Sequence, residues 1–246
     1  MSVKVFRLSL ITGLLFFLSS CNADKEKTTT TDAMSSDTTS TAPMEATAPS
    51  TISTTPQAML VVRHKVANYQ KFHATYDAHD SMRLASGMHS YVIGRGVMDS
   101  NMVLVAVKTD DMAKAKAFAK DPSLKQAMQK SGVVGAPAIS FVTMMYQDVS
   151  EISSTLRSLT NFTVKDWAAW ETAFKQGKQE RMDNGIVERA YGHDADDNNK
   201  VSLVVAIMDS AKAAAYWSSD MLKQRRAAGG VIGVPERFLY RIVQRY

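Results

Sequence analysis

Apolar and polar positions between residues 58 and 147 follow two different periods, and each change of period marks a new element. The stretch AMLVVRHKV (58–66) is apolar and β-branched, which is typical of a strand. After Asn68, which can cap a helix, apolar side chains recur three and four positions apart and predict a helix that ends at Gly87. Two strands follow (HSYVIGRGV and MVLVAVKT), then a second helix that Pro122 either breaks or starts anew, and a final strand (AISFVTMMY). The predicted order is strand, helix, strand, strand, helix, strand.

The same pattern returns 98 positions further along the chain. GVVGAP at 132–137 reappears as GVIGVP at 230–235, and the two halves align without a gap. The aromatic positions agree in kind: Tyr69 with Trp167, Phe72 with Trp170, Tyr76 with Phe174, Phe118 with Tyr216. A period of this length is that of a small domain and not of a solenoid. We therefore predict a first repeat at 58–147 and a second repeat at 154–246.

The repeated hexamer predicts a connector between a helix and a strand. Gly132 follows the second helix, where a positive φ is favoured, and Gly135 permits another tight bend. Pro137 is expected at the mouth of the last strand, where a missing N–H has little effect. A loop that closes over a ligand is the alternative interpretation.

Each repeat has the element order of a split βαβ unit, so its antiparallel sheet carries both helices on one face. The bare face also needs a cover, and packing the two repeats sheet against sheet provides one. The pattern V-x-x-[YW]-x-x-[FW]…R-x-x-x-G…G-V-x-G-x-P over residues 58–245 resembles the dimeric α/β-barrel superfamily, which includes the antibiotic-biosynthesis-monooxygenase-like domains. The resemblance implies an α+β fold in which two ferredoxin-like βαββαβ repeats form one pseudo-dimeric α/β barrel.

The N-terminus has the order of an export signal. Lys4 and Arg7 precede an apolar run that is too short to span a bilayer as a helix. The run ends in LSSC (18–21), which resembles the lipobox of bacterial lipoproteins. That resemblance implies a signal peptide at 1–20, a lipid anchor such as palmitate on Cys21, and a place in the bacterial cell envelope at the outer membrane. An ordinary secretory signal with an incidental cysteine is the alternative.

Residues 21–57 are predicted to form a disordered tether behind the lipidated cysteine. Thr, Ser, Ala and Pro dominate this stretch, aromatic residues are absent from it, and Ile52 is its one large aliphatic residue. Such a segment cannot bury enough apolar area to offset its ordering entropy.

Charge and cysteine content narrow the classes of partner. The net charge of +5 at pH 7 is mild and forms no dense basic stripe, which argues against nucleic acid. Cys21 is the only cysteine, so no intramolecular disulfide can form and the fold depends on an ordinary core. The expected partners are the membrane, through the lipid anchor, and a small apolar ligand; the two repeats pair with each other.

The superfamily resemblance also implies a space between sheet and helices that binds apolar or aromatic molecules, which some members oxidise without a cofactor. The haem-degrading branch is expected to carry an Asn on the first strand and a Trp and a His on the second helix. Here the second helix of the second repeat has Trp217 but no His, the first repeat has neither, and Asn161 is an isolated match. We therefore predict no cofactor. His73 and Asp77 have metal-ligand spacing but no third ligand nearby, so no metal site is predicted.

Four of the five histidines lie in the first repeat, and a duplicated scaffold needs only one working site. His79 shares the inward helical face with Tyr76 and Arg83, which makes His79 and Arg83 the candidate catalytic residues. The alternatives are a solvated His79 and an Arg83 that complements the helix dipole. The candidate walls of a ligand pocket are aromatic, although the two tryptophans could equally fill the core: Tyr76, Tyr91, Trp167 and Trp170.

Two functional hypotheses from different classes remain open. The first is a non-catalytic lipoprotein that binds a small apolar ligand or a protein partner. The second is a cofactor-independent monooxygenase or isomerase-like enzyme acting on a small aromatic substrate. A His79 that points into a cavity lined by Val61 and Tyr91 would favour the enzyme, whereas a His79 in solvent would favour the binding protein.

Overall fold

The computed structural model describes residues 50–246. The predicted signal peptide, Cys21 and all but the last few residues of the predicted tether lie outside the described residues. Within the described residues, no helix combines the length and the apolar character required to cross a bilayer.

The first repeat contains the six predicted elements, but each helical region is divided in two and a short strand precedes them. The elements are β1 Ile52–Ser53, β2 Gln57–Val66, α1 Tyr69–Ala78, α2 Asp80–Ala85, β3 Met88–Gly96, β4 Met102–Thr109, α3 Met112–Phe118, α4 Pro122–Lys130 and β5 Val133–Asp148.

The second repeat has the same order, at nearly the same spacing. Its elements are β6 Leu156–Val164, α5 Trp167–Gln176, α6 Lys178–Asp183, β7 Ile186–Asp194, β8 Lys200–Ile207, α7 Ser210–Ser218, α8 Asp220–Ala228 and β9 Val231–Arg245. The like topologies of the two halves agree with the duplication predicted from the sequence.

The first helix of each repeat begins at the predicted cap. The side chain of Asn68 accepts a hydrogen bond from the Lys71 backbone N–H at 2.9 Å, and Asp166 accepts one from Ala169 at 2.7 Å. The helical region of the first repeat is not continuous, because His79 ends α1 with φ −103° and ψ 19° before α2 begins. It ends before Gly87, whose φ is +67° as expected for a residue that terminates a helix.

The predicted connector is wrong in its extent. β5 starts at Val133, so Pro137 lies inside the strand and not at its mouth. Gly135 has a φ of +74° and sits where the pairing of β2 with β5 shifts register, between Arg63 and Lys65. Gly132 therefore precedes the strand, and the rest of the hexamer forms a β-bulge at its start, which accommodates a proline that cannot donate a ladder hydrogen bond.

The predicted tether also extends too far. Ile52 and Ser53 pair with Asp148 and Gln147 at the end of β5, so the last residues of the segment form an edge strand. Ile52, the one large aliphatic residue of the predicted tether, lies in this edge strand.

Strands β2 to β9 close into one barrel of eight antiparallel strands. Around the barrel the order is β5-β2-β4-β3-β9-β6-β8-β7, and β7 pairs with β5 to complete the ring. The two seams between the repeats are formed by the long final strands, since β9 pairs with β3 and β5 pairs with β7. The two sheets thus cover each other's bare faces and share hydrogen bonds along both edges, as the pseudo-dimeric fold requires.

The barrel wall has two apolar faces. Alternate residues of each strand point to the helices or to the barrel interior, as the period-two geometry of strands dictates. On β2 the helix-facing residues Leu60 and Val62 join the core of the first repeat, whereas Met59 joins the interior core that both repeats build. The structure therefore offers two kinds of binding space, one under the helices of each repeat and one inside the barrel.

Candidate functional site

Three cavities occupy these spaces. The first-repeat cavity lies between the sheet and helices of the first repeat and measures about 90 Å³. The second-repeat cavity is its counterpart under α5 to α8 and measures about 100 Å³. The barrel cavity lies inside the barrel, between the two sheets, and measures about 90 Å³.

The first-repeat cavity has an almost wholly apolar lining. Its floor consists of helix-facing residues of β2 and β4, and its walls come from α1, α2 and α4. On the helix side, Met82, Leu124 and Met128 are half-buried. The volume is below the ~150 Å³ of an apolar cavity that binds benzene. The flexible methionines can adjust to a larger guest.

His64 is the unusual residue of this cavity. Its side chain projects from β2 toward the helices, it is 3 % exposed, and its ring contacts Phe72 edge-on at 5.0 Å. Neither Nδ1 nor Nε2 has a hydrogen-bond partner among the described residues. Burial lowers the pKa of His64 from 6.5 to about 4, so the imidazole is neutral at physiological pH. A neutral imidazole with one free donor and one free acceptor is the polar contact that this apolar space can offer to a ligand.

Arg83 lies at the edge of the same cavity, and its contacts hold neighbouring elements together. Its guanidinium stacks on the Tyr76 ring at 3.6 Å and donates to the Tyr76 carbonyl at 2.6 Å. It also donates to Ser90 Oγ at 3.2 Å and to Asp80 Oδ1 at 3.0 Å. Because stacking and hydrogen bonds already engage the guanidinium, Arg83 joins α1, α2 and β3, and among the described residues that line this cavity the buried polar atoms without a partner belong to His64.

The predicted candidates His79 and Tyr76 both line the first-repeat cavity. His79 is half-buried at the junction of α1 and α2, where its Nδ1 lies 2.7 Å from the Thr75 carbonyl oxygen. Val61 and Tyr91 do not line this cavity, because they face the barrel cavity on the other side of the sheet. His79 therefore neither points into a cavity lined by Val61 and Tyr91 nor lies fully in solvent, so its position does not decide between the two functional hypotheses.

The predicted tryptophans lie in the second repeat, away from His64. Trp170 is 4 % exposed and lines the second-repeat cavity, stacked on Phe174 at 5.0 Å. Trp167 packs against Trp170 at 5.2 Å and against His193 at 4.8 Å and does not line the cavity. The structure thus distributes the four aromatic candidates over three cavities and the aromatic core of the second repeat.

The second-repeat cavity differs from the first in its polar groups. Phe162 lies where the first repeat has His64, so this cavity has no imidazole at that position. Arg181 takes the place of Arg83, stacks on Phe174 at 3.7 Å and forms a buried ion pair with Glu188. The two repeats have kept the stacked arginine and diverged at the position of His64.

The two residues with metal-ligand spacing, His73 and Asp77, both lie on α1. His73 Nδ1 lies 3.2 Å from Asp77 Oδ2 on the surface of α1. Among residues 50–246 no group of three or more His, Cys, Asp or Glu side chains is arranged to hold a metal ion.

Sequence reasoning missed His64, although a signal for it exists. Leu60, Val62, His64 and Val66 alternate on one face of β2, and the first, second and fourth of them are core residues. The run Arg63-His64-Lys65 hides this alternation, because three consecutive polar residues suggest the solvated end of a strand.

Solved structures of low sequence identity share this fold. A monooxygenase-like protein of Fusobacterium nucleatum superposes with a TM-score of 0.53 at 12 % identity, over 77 % of this chain and 93 % of its own. A second from Lactobacillus acidophilus gives 0.51 at 10 % identity, over 76 % and 94 %. An anthrone oxidase-like protein gives 0.50 at 14 % identity, over 79 % and 95 %.

These similarities show the fold alone, because a fold of this kind hosts many different sites. No protein-family model matches the sequence, and no curated protein matches it either. The class that the structure defines is an α+β protein with two ferredoxin-like repeats fused into one pseudo-dimeric α/β barrel, the architecture that it shares with these solved structures.

Proposed function

We propose that the protein is an exported bacterial lipoprotein that binds a small, mainly apolar ligand with one polar group in the first-repeat cavity. The observation that supports the binding function is the unpaired, neutral His64 within a mostly apolar lining. Leaving a buried donor and acceptor unsatisfied is unfavourable, and a ligand hydroxyl or carbonyl that pairs with one of them relieves this. Because both ring nitrogens are enclosed, a ligand reaches them only when the surrounding side chains shift.

A comparison of phenol with toluene tests the role of His64 in the full-length protein. The two probes have similar shapes, and only phenol can form a hydrogen bond with the imidazole. We expect phenol to bind roughly fivefold more tightly than toluene, which corresponds to one hydrogen bond of about 1 kcal/mol. His64→Phe installs the residue that the second repeat carries at this position, and it should abolish the preference without weakening toluene binding. Isothermal titration calorimetry measures all four affinities.

His89→Phe provides the matched control, because His89 is a half-exposed histidine paired with Asp110 on the outer surface. This variant should keep the preference for phenol. An equal preference for phenol in His64→Phe and in the wild type would remove His64 from the binding site.

Membrane anchoring rests on the lipobox resemblance and is tested separately. When the full-length gene is expressed in a bacterium, we expect the protein in the membrane fraction and labelled by a palmitate analogue. Cys21→Ser removes the thiol that receives the lipid and should move most of the protein into the soluble fraction. Retention of Cys21→Ser in the membrane fraction would contradict a lipid anchor at this residue.

A cofactor-independent oxygenase is the second candidate, because an unpaired, unprotonated imidazole lines the cavity. A general base needs a free nitrogen close to the substrate, and a pKa lowered to about 4 makes His64 a weak base, so a slow reaction is expected. Because the cavity measures about 90 Å³, a one-ring substrate such as hydroquinone is a suitable first choice, and three-ring anthrone, which names one protein of the same fold, is too large. Oxygen uptake with hydroquinone that is lost in His64→Phe and kept in His79→Ala would identify His64 as the base. Uptake that depends on His79 would favour the residue predicted from the sequence, and no uptake would leave the binding function.

A further inference from the structure

The barrel cavity contains charged groups at one end that the proposed function does not use. Strands β2, β3, β6 and β7 start at this end, and the strands antiparallel to them finish there. Arg157 near the start of β6 and Arg189 near the start of β7 both line the cavity. They are 2 % and 8 % exposed, so two guanidinium groups are buried at the same end of the barrel.

Arg157 has no acidic partner among the described residues. Its guanidinium donates from Nη1 to the carbonyls of Ser154 at 2.8 Å and Leu156 at 3.0 Å. Burial is the main reason that the pKa of Arg157 falls below its ordinary value to about 10, and the charges of Arg189 and Arg245 act in the same direction. The guanidinium stays charged at neutral pH, and a buried charge without a counterion is unfavourable.

The surroundings of Arg157 carry an excess of positive charge. Arg189 donates to Asp148 at 3.5 Å and to Ser150, so the one carboxylate that lines the cavity is engaged by the second arginine. Arg245 is exposed and also lines the cavity. Lys108 lies at the same end with its ammonium 4.5 Å from the Tyr91 ring. Among the described residues that line the cavity, three arginines therefore accompany one carboxylate, with the Lys108 ammonium at the same end of the barrel.

The two arginines are specific to the second repeat. The first repeat has Met59 and Tyr91 at the corresponding positions, and both of these also line the cavity. A structural need of the barrel would apply to both repeats, because their strands have the same topology. The asymmetry indicates that the arginine pair serves something other than closure of the barrel.

We propose that the barrel cavity binds a short aliphatic monocarboxylate, with its carboxylate on Arg157 and Arg189 and its chain among the apolar interior residues. Leu104, Leu159 and Val204 provide this apolar wall. A carboxylate supplies the missing counterion and matches the fork of guanidinium donors. The volume of about 90 Å³ limits the chain to a few carbons. This site is separate from the first-repeat cavity, on the opposite face of the sheet.

Titration of the full-length protein with butyrate, butyramide and inorganic phosphate by isothermal titration calorimetry tests the proposal. Butyramide has the shape of butyrate without the charge, and phosphate has the charge without the chain. We expect butyrate to bind roughly tenfold or more tightly than either. Arg157→Met installs the residue of the first repeat and should weaken butyrate binding roughly tenfold or more, with butyramide unaffected. Lys125→Met removes one exposed positive charge from α4 and should bind butyrate as the wild type does.

Circular dichroism establishes that Arg157→Met is folded. Arg189→Tyr installs the residue that the first repeat carries at this position, and it should weaken butyrate binding as well. This variant is the test if Arg157→Met does not fold. Three results would each overturn the proposal: no butyrate binding by the wild type, equal butyrate affinity in the folded variant, or stronger binding of phosphate than of butyrate. Phenol binding in the first-repeat cavity should be the same in Arg157→Met and in the wild type. The proposal for the barrel cavity can therefore be rejected without affecting the proposal for the first-repeat cavity, and the reverse also holds.

Discussion

Lowering the pH from 7 to 4 should reduce the free energy of unfolding by about 3 kcal/mol through His64 alone. The folded protein holds His64 neutral because burial lowers its pKa from 6.5 to about 4. In the unfolded chain the same imidazole takes up a proton near pH 6.5. Between these two values the unfolded state binds more protons than the folded state, so stability rises with pH and is lost as the pH falls through this window. The full contribution is present above pH 6.5.

Chemical denaturation at a series of pH values between 4 and 7 measures this loss. His64→Phe removes the titrating group and should flatten the curve over that window, and at pH 7 it should be at least as stable as the wild type, because two unsatisfied polar atoms disappear. The variant is expected to fold, since Phe162 occupies the same place in the second repeat. His89→Phe should retain the steep wild-type dependence. Parallel curves for the wild type and His64→Phe would show that His64 is protonated equally in both states.

The fold could be predicted because the decisive signals are local or repeated. Strand β4 coincides with the predicted stretch MVLVAVKT, whose apolar run is bounded by a turn and a capping aspartate. The duplication then predicted that the two sheets pack against each other, because a sheet with one bare face needs a cover and the second repeat has a matching bare face. The division of the helical region at His79 was not predictable from propensity, because no proline or glycine marks it in the first repeat.

The candidate site was predicted less well because it depends on which face of the sheet a residue points to. Tyr91 is an interior residue of the barrel, and Tyr76 lies under the helices, so two aromatic residues expected in one pocket line different cavities. The strand period assigns faces only once the register and the bulges are known, and β3 contains a register shift between Ser90 and Val92, next to Tyr91. The importance of His64 follows from a missing hydrogen-bond partner, which no sequence pattern records.

The comparison of the two repeats isolates the positions where function can reside. Arg83 and Arg181 keep the same stacked geometry on Tyr76 and Phe174, which is expected of residues that hold a helix to the sheet. His64 and Arg157 have no polar counterpart in the other repeat, and each lines a cavity. Divergence between the two copies thus distinguishes the proposed binding groups from the residues that hold the framework together.

Gly192→Ala should lower the free energy of unfolding by about 3–4 kcal/mol, which is a large part of the stability of a typical domain. Gly192 lies on β7 at the seam with β5, where a Cβ would fall on the Thr143 carbonyl oxygen and 2.6 Å from Met144 Cα. Because the obstruction is backbone, it cannot rotate away, and the seam that closes the barrel must open to admit the methyl group. Urea denaturation measures the loss, and the midpoint should fall without a gain in the unfolding slope.

The equivalent glycine of the first repeat supplies the control for this explanation. At Gly94 the added Cβ would meet the Tyr240 ring, with Cε2 at 2.8 Å, and Tyr240 occupies the position that Val142 holds in the first repeat. Gly94→Ala should therefore be destabilising in the wild type and much less so in a Tyr240→Val background, because the obstructing ring is gone. For Gly192 no side chain can be removed, so the same Tyr240→Val background should leave its effect unchanged. A Gly192→Ala variant as stable as the wild type would mean that the β5–β7 seam is more loosely closed than the register between these strands indicates.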